Sequence, residues 1–473
     1  MSSTIFPKAI KAILLVLVIV VSPHLILHAG SGTGQYKSGE LVCKMQPGYD
    51  IEIINTTYGT TTKSYVSQTR CYLLKTPDDQ DSENLADLIR THPGVEYCGA
   101  NYFLNSPESL QKSQPFIDLE MTGDYLTQIA VSDFNLVEVH QISTGEDVKV
   151  AVIDGGVNFD HPEFISTTDI ISVYDYIDND SIAFDEPGGV SSGHGTFVAG
   201  IIKLIAPDCD IYVYRVLDTS GQGDGYIITE ALLQAIDDGC KVVNLSLGML
   251  GRHEALDHAL QYAKEMDVTV ITSAGNDSTE NEADFPFPGK KVTCLTVAAL
   301  DSLNIKADFS NYGNKVDFCA PGTKIYSPFV DSSYAWWDGT SFATPFVTGT
   351  AALLYSNNPQ ITDENVVFAI THSAINIDSL NPGLKGKLGF GLINIAGALE
   401  IDIEQPCGDV DLEEGINVAD ITYLVNYIFK GGAAPDPIKP GDTDCNSEIN
   451  VTDLINLVNY IIKGSDNPCL ECK

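Results

Sequence analysis

The sequence predicts an α/β fold: a doubly wound, mostly parallel sheet, preceded by a small α+β unit and followed by an all-α module of paired loops. Three observations carry this expectation. Between about residues 145 and 400, short runs dense in Val, Ile and Tyr alternate with helical stretches. Residues 39–104 read strand, strand, helix, strand. Near the end one segment occurs twice, as GDVDLEEGINVADITYLVNYIFKGG and GDTDCNSEINVTDLINLVNYIIKGS.

The elements follow in order. Residues 1–29 place Lys8 and Lys11 before an apolar run over residues 12–21, then Pro23 and a small residue, Ala29. That is the anatomy of an export signal. The run falls short of the roughly 20 apolar residues of a membrane span. A secreted chain is therefore expected, with no transmembrane span once the signal is cut. The α+β unit, with its linker, covers residues 30–115. GELVCKM, RCYLLKT and GVEYCGANYFL are its strands, SENLADLIRTH its helix, and NSPESLQKSQP the polar linker. The large unit, residues 116–402, has buried strands in VKVAVIDGG, CDIYVYRVL, CKVVNLSLG, VTVITSAGN and CLTVAAL. GYIITEALLQAIDDG and RHEALDHALQYAKEM are helices between them. Residues 403–473 hold the repeat.

The 473 residues suit roughly three domains. A formal net charge of −38 argues against nucleic acid or anionic membrane as partner, since phosphate needs a basic face. Eleven cysteines in an exported chain permit disulfides, and the odd number leaves at least one unpaired or paired outside the chain. Spacing leaves the pairing open. The terminal CLEC lacks a second CxxC and a histidine pair, so it reads as disulfide or free thiols rather than a zinc or redox motif.

Acyl transfer by a serine needs a base, an acid to orient the base, and donors for the oxyanion. Asp154 ends an apolar strand, just before two glycines. His194 stands between Gly193 and Gly195, ahead of an apolar helix. Asn276 ends another strand, where its amide can donate to a developing oxyanion. Ser341 opens a helix of small residues, and Pro345 places that opening nearby, because proline is tolerated in the first turn. Singly, each has a bland reading: a turn aspartate, a packed histidine, a turn asparagine, an N-cap serine. Together they stand in the order Asp, His, Ser on an alternating α/β frame.

At these motifs the chain resembles the subtilases: VAVIDGGVNFDHPEF, GHGTFVAG, NLSLG, TSAGN and GTSFATPFVTGTAAL all match. The resemblance implies a subtilisin-like fold and a serine endopeptidase. Asp154 would orient His194, His194 would take the Ser341 proton, and Asn276 with the Ser341 N–H would hold the oxyanion. Leu245, Ser246, Leu247 and Gly248, with Ser273, Ala274 and Gly275, would border an extended polypeptide substrate. The family's second histidine after the His motif is Phe197 here, and the histidine after the serine-motif proline is Phe346. Neither position does chemistry. The loop that binds calcium in subtilisin is missing before CDIYVYRVL. The first unit resembles a subtilase propeptide, which implies a self-inhibited precursor. The rival reading is a silent, subtilase-shaped binding protein; the intact set of four residues speaks against it.

Calcium loops place oxygen ligands at positions 1, 3, 5, 7, 9 and 12. The first repeat supplies Asp409, Asp411, Glu413, Gly415, Asn417 and Asp420; the second supplies Asp442, Asp444, Asn446, Glu448, Asn450 and Asp453. An apolar helix follows each loop. Loop then helix, twice, resembles a dockerin, which implies bound Ca²⁺ and a cohesin-type scaffold partner. The usual glycine at position 6 is Glu414 and Ser447 here.

Overall fold

The computed structural model describes residues 35–401 except 79, 112, 119, 121–122, 166–168 and 283, together with 410, 416–432, 434–435, 441–443 and 448–463. The export signal lies outside the described residues.

The first unit contains β1 (Tyr36–Met45), α1 (Glu52–Tyr58), β2 (Thr61–Val66), β3 (Cys71–Lys75), α2 (Ser82–Arg90) and β4 (Val95–Asn105). Its strands form an antiparallel sheet in the order β2-β3-β1-β4. The helix α2 starts where the Asp81 side chain accepts from the Asn84 N–H, and it buries Leu85, Ala86 and Ile89 on one face. These pack with Leu41, Ile54 and Leu74 into a small core of their own. A Cys43–Cys98 disulfide ties β1 to β4. Cys71, Cys209, Cys240, Cys294 and Cys319 are free and buried.

The next stretch departs from the expected polar linker. It contains α3 (Pro107–Gln111), with Glu108 1% exposed, and is followed by β5 (Phe116–Asp118). Ser106-Pro107-Glu108 is a helix-start pattern, with serine at the cap and proline at the first helical position.

The large unit begins with α4 (Leu136–Ile142), β6 (Lys149–Asp154), β7 (Ile170–Asp175), α5 (His194–Ile205), β8 (Asp210–Arg215), β9 (Gln222–Asp224), α6 (Gly225–Asp237), β10 (Val242–Leu245) and α7 (Glu254–Glu265). It continues with β11 (Thr269–Ser273), β12 (Leu295–Leu300), β13 (Phe318–Pro321), β14 (Ile325–Pro328), β15 (Tyr334–Trp337), α8 (Thr340–Asn357), α9 (Asp363–Ser373) and α10 (Ile395–Glu400). Seven strands pair in parallel in the order β13-β12-β11-β10-β6-β8-β7. Both faces are covered, and β6 shows why its sequence lacks polar alternation. Val150 and Val152 face one core with residues of α5 and α8, while Ala151 and Ile153 face another with residues of α6 and α7. From β6 the chain goes to the edge strand β7, returns to β8 beside β6, and then crosses to the other side of β6 at β10. The ends of β6 and β10 therefore border a topological switch point, where α/β sheets gather their ligands. A smaller antiparallel sheet joins β14, β15 and β5.

In the C-terminal region α11 (Val418–Lys430) and α12 (Val451–Lys463) pack together through Leu424 and Leu457, with Val410. Asp420 and Asp453 are fully buried at equivalent places in the two repeats. Asp420 accepts from the Asn417 N–H at 2.7 Å, and Asp453 from the Asn450 N–H at 2.7 Å. Asp409, Asp411, Glu413, Gly415, Asp444 and Asn446 lie outside the described residues. Among the described residues, no group of three or more His, Cys, Asp or Glu could hold a metal ion, and no helix is long and apolar enough to cross a membrane.

Candidate active site

Asp154 is the last residue of β6 and is fully buried. Its Oδ1 accepts from the Gly155 N–H and from His194 Nδ1, each at 2.7 Å. His194 is the first residue of α5 and also fully buried. Two glycines allow this approach. Gly193 has φ +88°, and a Cβ there would lie 2.1 Å from the Phe329 ring; a Cβ on Gly195 would lie 2.1 Å from the Gly156 carbonyl oxygen. Gly193 offers α5 no side-chain cap, so the cap comes from elsewhere. Asp185 accepts from the Gly193 N–H at 2.8 Å and from the Thr196 N–H and Oγ1 at 3.1 and 2.7 Å. Burial, with the nearby Asp154 charge, pushes the Asp185 carboxyl up to about 7 against these bonds.

Ser341 is the second residue of α8, at its positive end. Pro345 was expected in the first turn of this helix but is its sixth residue. A proline there denies the Ser341 carbonyl its usual partner. Ser246 Oγ supplies the replacement, donating to the Ser341 carbonyl at 3.0 Å. Asn276 follows β11. Its Oδ1 accepts from the Thr340 N–H at 3.0 Å and the Thr340 hydroxyl at 2.8 Å. With the oxygen so engaged, the amide Nδ2 faces the cleft as a donor.

Four groups converge on one carboxylate, that of Glu108. Asn276 Nδ2 donates to Oε1 at 2.9 Å, with the Ser341 N–H 3.4 Å from the same oxygen. Ser341 Oγ donates to Oε2 at 2.7 Å, and His194 Nε2 meets that oxygen at 3.1 Å. His194 thus has a carboxylate on each ring nitrogen, which calls for a proton on both. Burial opposes that charge, but Asp154 and Glu108 outweigh it and raise the imidazole to about 10. Burial likewise opposes the Glu108 charge, but His194, Ser341 and Asn276 hold the carboxyl below its usual range. Gly339 makes room, since a Cβ there would lie 2.0 Å from Glu108 Oε1.

The chain leading to Glu108 runs between two edges. β4 pairs antiparallel with β9, Leu104 opposite Gly223, and Asn105 exchanges both backbone hydrogen bonds with Gly248 at 2.9 and 2.8 Å. The Ser106 N–H donates to the Gly221 carbonyl at 2.9 Å. Beside this strand lies a cavity of about 410 Å³ bordered by Gly248, Met249, Gly275, Asn276, Asp277 and Pro286, among others. Of the expected bordering residues, Gly248 and Gly275 line this cleft, and the Ser246 carbonyl lies 3.4 Å from Ser341 Oγ. Leu245 and Leu247 are buried in the core instead, and Ser273 and Ala274 are buried behind Gly275. Four contributors were not singled out in the sequence: Glu108, Asp185, Thr340 and β9. Only Glu108 carried a signal, the helix start at Ser106-Pro107.

The profile of the Subtilase family matches residues 145–391, and that of the fervidolysin N-terminal prodomain matches residues 26–101. A thermophilic serine proteinase from Bacillus sp. (strain AK1) is 34% identical over 59% of this chain and 68% of its own. Thermitase from Thermoactinomyces vulgaris is 35% identical over 49% of this chain and 83% of its own. The crystal structure of fervidolysin from Fervidobacterium pennivorans superimposes with a TM-score of 0.65 at 22% identity, over 80% of this chain and 63% of that one, so this chain spans under two thirds of it. That likeness is one of fold. The chain belongs to the subtilase family, the subtilisin-like serine endopeptidases, and carries a fervidolysin-like prodomain.

Proposed function

We propose that this chain is exported as a self-inhibited precursor that, once released, hydrolyses peptide bonds in extended polypeptide segments through Ser341, His194 and Asp154. One observation carries the reading. The Asn276 amide and the Ser341 N–H point at a single carboxylate oxygen, beside the Ser341 hydroxyl and His194. A tetrahedral oxyanion asks for the same donors at the same place. With the carboxylate gone, His194 Nε2 is free to accept the Ser341 proton as Oγ attacks the scissile carbonyl carbon. Asp154 stabilises the imidazolium that forms. The imidazolium then gives its proton to the leaving amine, and water repeats the sequence on the acyl-enzyme. The edges at β9 and Gly248 favour extended substrates, because strand pairing needs extended backbone.

Fluorophosphonate labelling of the processed protein tests this, with Ser341→Ala as comparison. Wild type is expected to label and the variant to remain blank. Equal labelling of both, or none in the processed wild type, would sink the catalytic assignment.

The C-terminal repeat is proposed as a dockerin-like calcium module that tethers the enzyme to a cohesin-type scaffold, at the cell surface or on a secreted assembly. Carboxylate and amide oxygens at the twelve positions suit a hard cation. Among the described ligands, Asp420 and Asp453 fit best, each fully buried at the last position of its loop.

A further inference from the structure

Glu108 has no counterpart in the chemistry of peptide hydrolysis, yet it is the most heavily engaged residue of the cleft. It lies on the inhibitory side of the chain, three residues past the end of β4. Asn105 and Ser106 are bound as substrate backbone would be, by Gly248 and Gly221. At Pro107 the chain leaves that path and begins α3. Proline has no N–H to continue the strand pairing and has the φ of a helix start. The bond that would next reach Ser341 is therefore wound into a helix. Its carbonyl does not enter the donor site, because a side chain already fills it.

We propose that α3 is an uncleavable latch, in which Pro107 diverts the backbone and the Glu108 carboxylate takes the oxyanion's place, so that the precursor stays intact and silent until α3 unwinds. The proposal rests on the catalytic reading above and deepens it. Three features set it apart from a loop that merely covers the site. The Ser341 hydroxyl donates to Glu108 at 2.7 Å rather than to His194. His194 has a carboxylate oxygen at 2.7 and 3.1 Å from its two ring nitrogens, an arrangement that favours a proton on both and leaves no lone pair to accept that of Ser341. The far end of the latch is pinned as well: the Ser113 N–H donates to the Glu108 carbonyl at 3.0 Å, and Ser113 Oγ donates to the Asp338 carbonyl at 3.0 Å.

The test uses the full-length precursor as wild type, Glu108→Gln and Glu108→Ala, with the processed wild-type enzyme alongside. The rate of fluorophosphonate labelling of the intact precursor is measured, and the melting temperature of each precursor checks that it folds. Glu108→Gln keeps the shape and removes the charge, so it carries the test if the alanine variant unfolds. Both variants are expected to label about tenfold faster than the wild-type precursor, the scale of one lost charge-assisted hydrogen bond. Folded variants that label as slowly as wild type, beside a readily labelled processed enzyme, would overturn the latch and leave the catalytic reading standing. Failure of the processed wild type to label would overturn both.

Discussion

His194 between Asp154 and Glu108 makes the precursor's pH response predictable in sign. The imidazole is raised to about 10, so its stabilising contribution is full below its unfolded value near 6.5 and is lost as pH rises through about 10. Glu108 is held below its usual range, so its contribution is present above about 4.5 and is lost as pH falls through its lowered value. The site should therefore be most tightly closed between about pH 4.5 and 6.5. Labelling of the intact precursor should reach half its maximum at a higher pH than that of the processed enzyme, which lacks Glu108 opposite the ring. Identical pH profiles for the two forms would contradict the ion triad. Asp185 faces the same helix start, and its elevated carboxyl is expected to add a shared step near pH 7 in both forms.

Among the elements, α5 and α8 set the site by their first turns, and each depends on a partner remote in sequence. The α5 start has only the Asp185 side chain to satisfy Gly193 and Thr196. Asp185→Ala would leave buried N–H groups unpaired at the residue before His194 and two after it. A loss of about 2–4 kcal/mol is expected in denaturant unfolding of the processed enzyme. The proposed base sits on that turn, so kcat on a peptide substrate should fall about tenfold or more while KM changes little. A loss of stability with unchanged kcat would show that His194 is positioned by other means. In α8 the break made by Pro345 is bridged by Ser246, from the segment after β10. A helix that would otherwise be strained beside Ser341 is thereby locked to the substrate edge.

At the scale of the whole molecule, four cores among the described residues divide the work. The prodomain sheet and helices have their own core, the large unit has one on each sheet face, and the C-terminal helices share a few side chains around Leu424 and Leu457. Among the described residues this core is small, and a small core stabilises a helix pair weakly. If the loops bind calcium, ion binding contributes directly to folding. Circular dichroism of the full chain should then show helix lost on chelation and regained with calcium, with the large unit's melting transition unmoved. No calcium-dependent change in helix would remove the metal from the C-terminal module. The prodomain is held from the other side, where Lys37 pairs with Asp224 at 2.8 Å and Asn101 bridges Glu40 and Asp224 at 2.8 and 3.0 Å. These contacts place β4 beside β9 and deliver Glu108 to the cleft.

The parallel sheet was legible because its strands are buried on both faces: β6, β8, β10, β11 and β12 read as apolar runs without alternation. β7, β9 and β13 were not picked out, being short or bounded by polar loops whose pairing is decided by neighbours distant in sequence. Asp154, His194, Asn276 and Ser341 were legible because each stands in its own local motif at or near the end or start of an element: β6, α5, β11 and α8. Local sequence also showed the repeat and the prodomain strands β1, β3 and β4, while α1 and β2 were not picked out. What only the tertiary structure decided is what those residues face. Glu108 stood in a polar stretch where Ser106-Pro107 signals a helix start but nothing signals a partner, and its role comes from contacts to residues 86, 168 and 233 positions away along the chain. Sequence patterns report which side chains are buried and which turns begin helices, because those are local free energies. The meeting of one carboxylate with four donors depends on how the cores pack, and no local pattern encodes it.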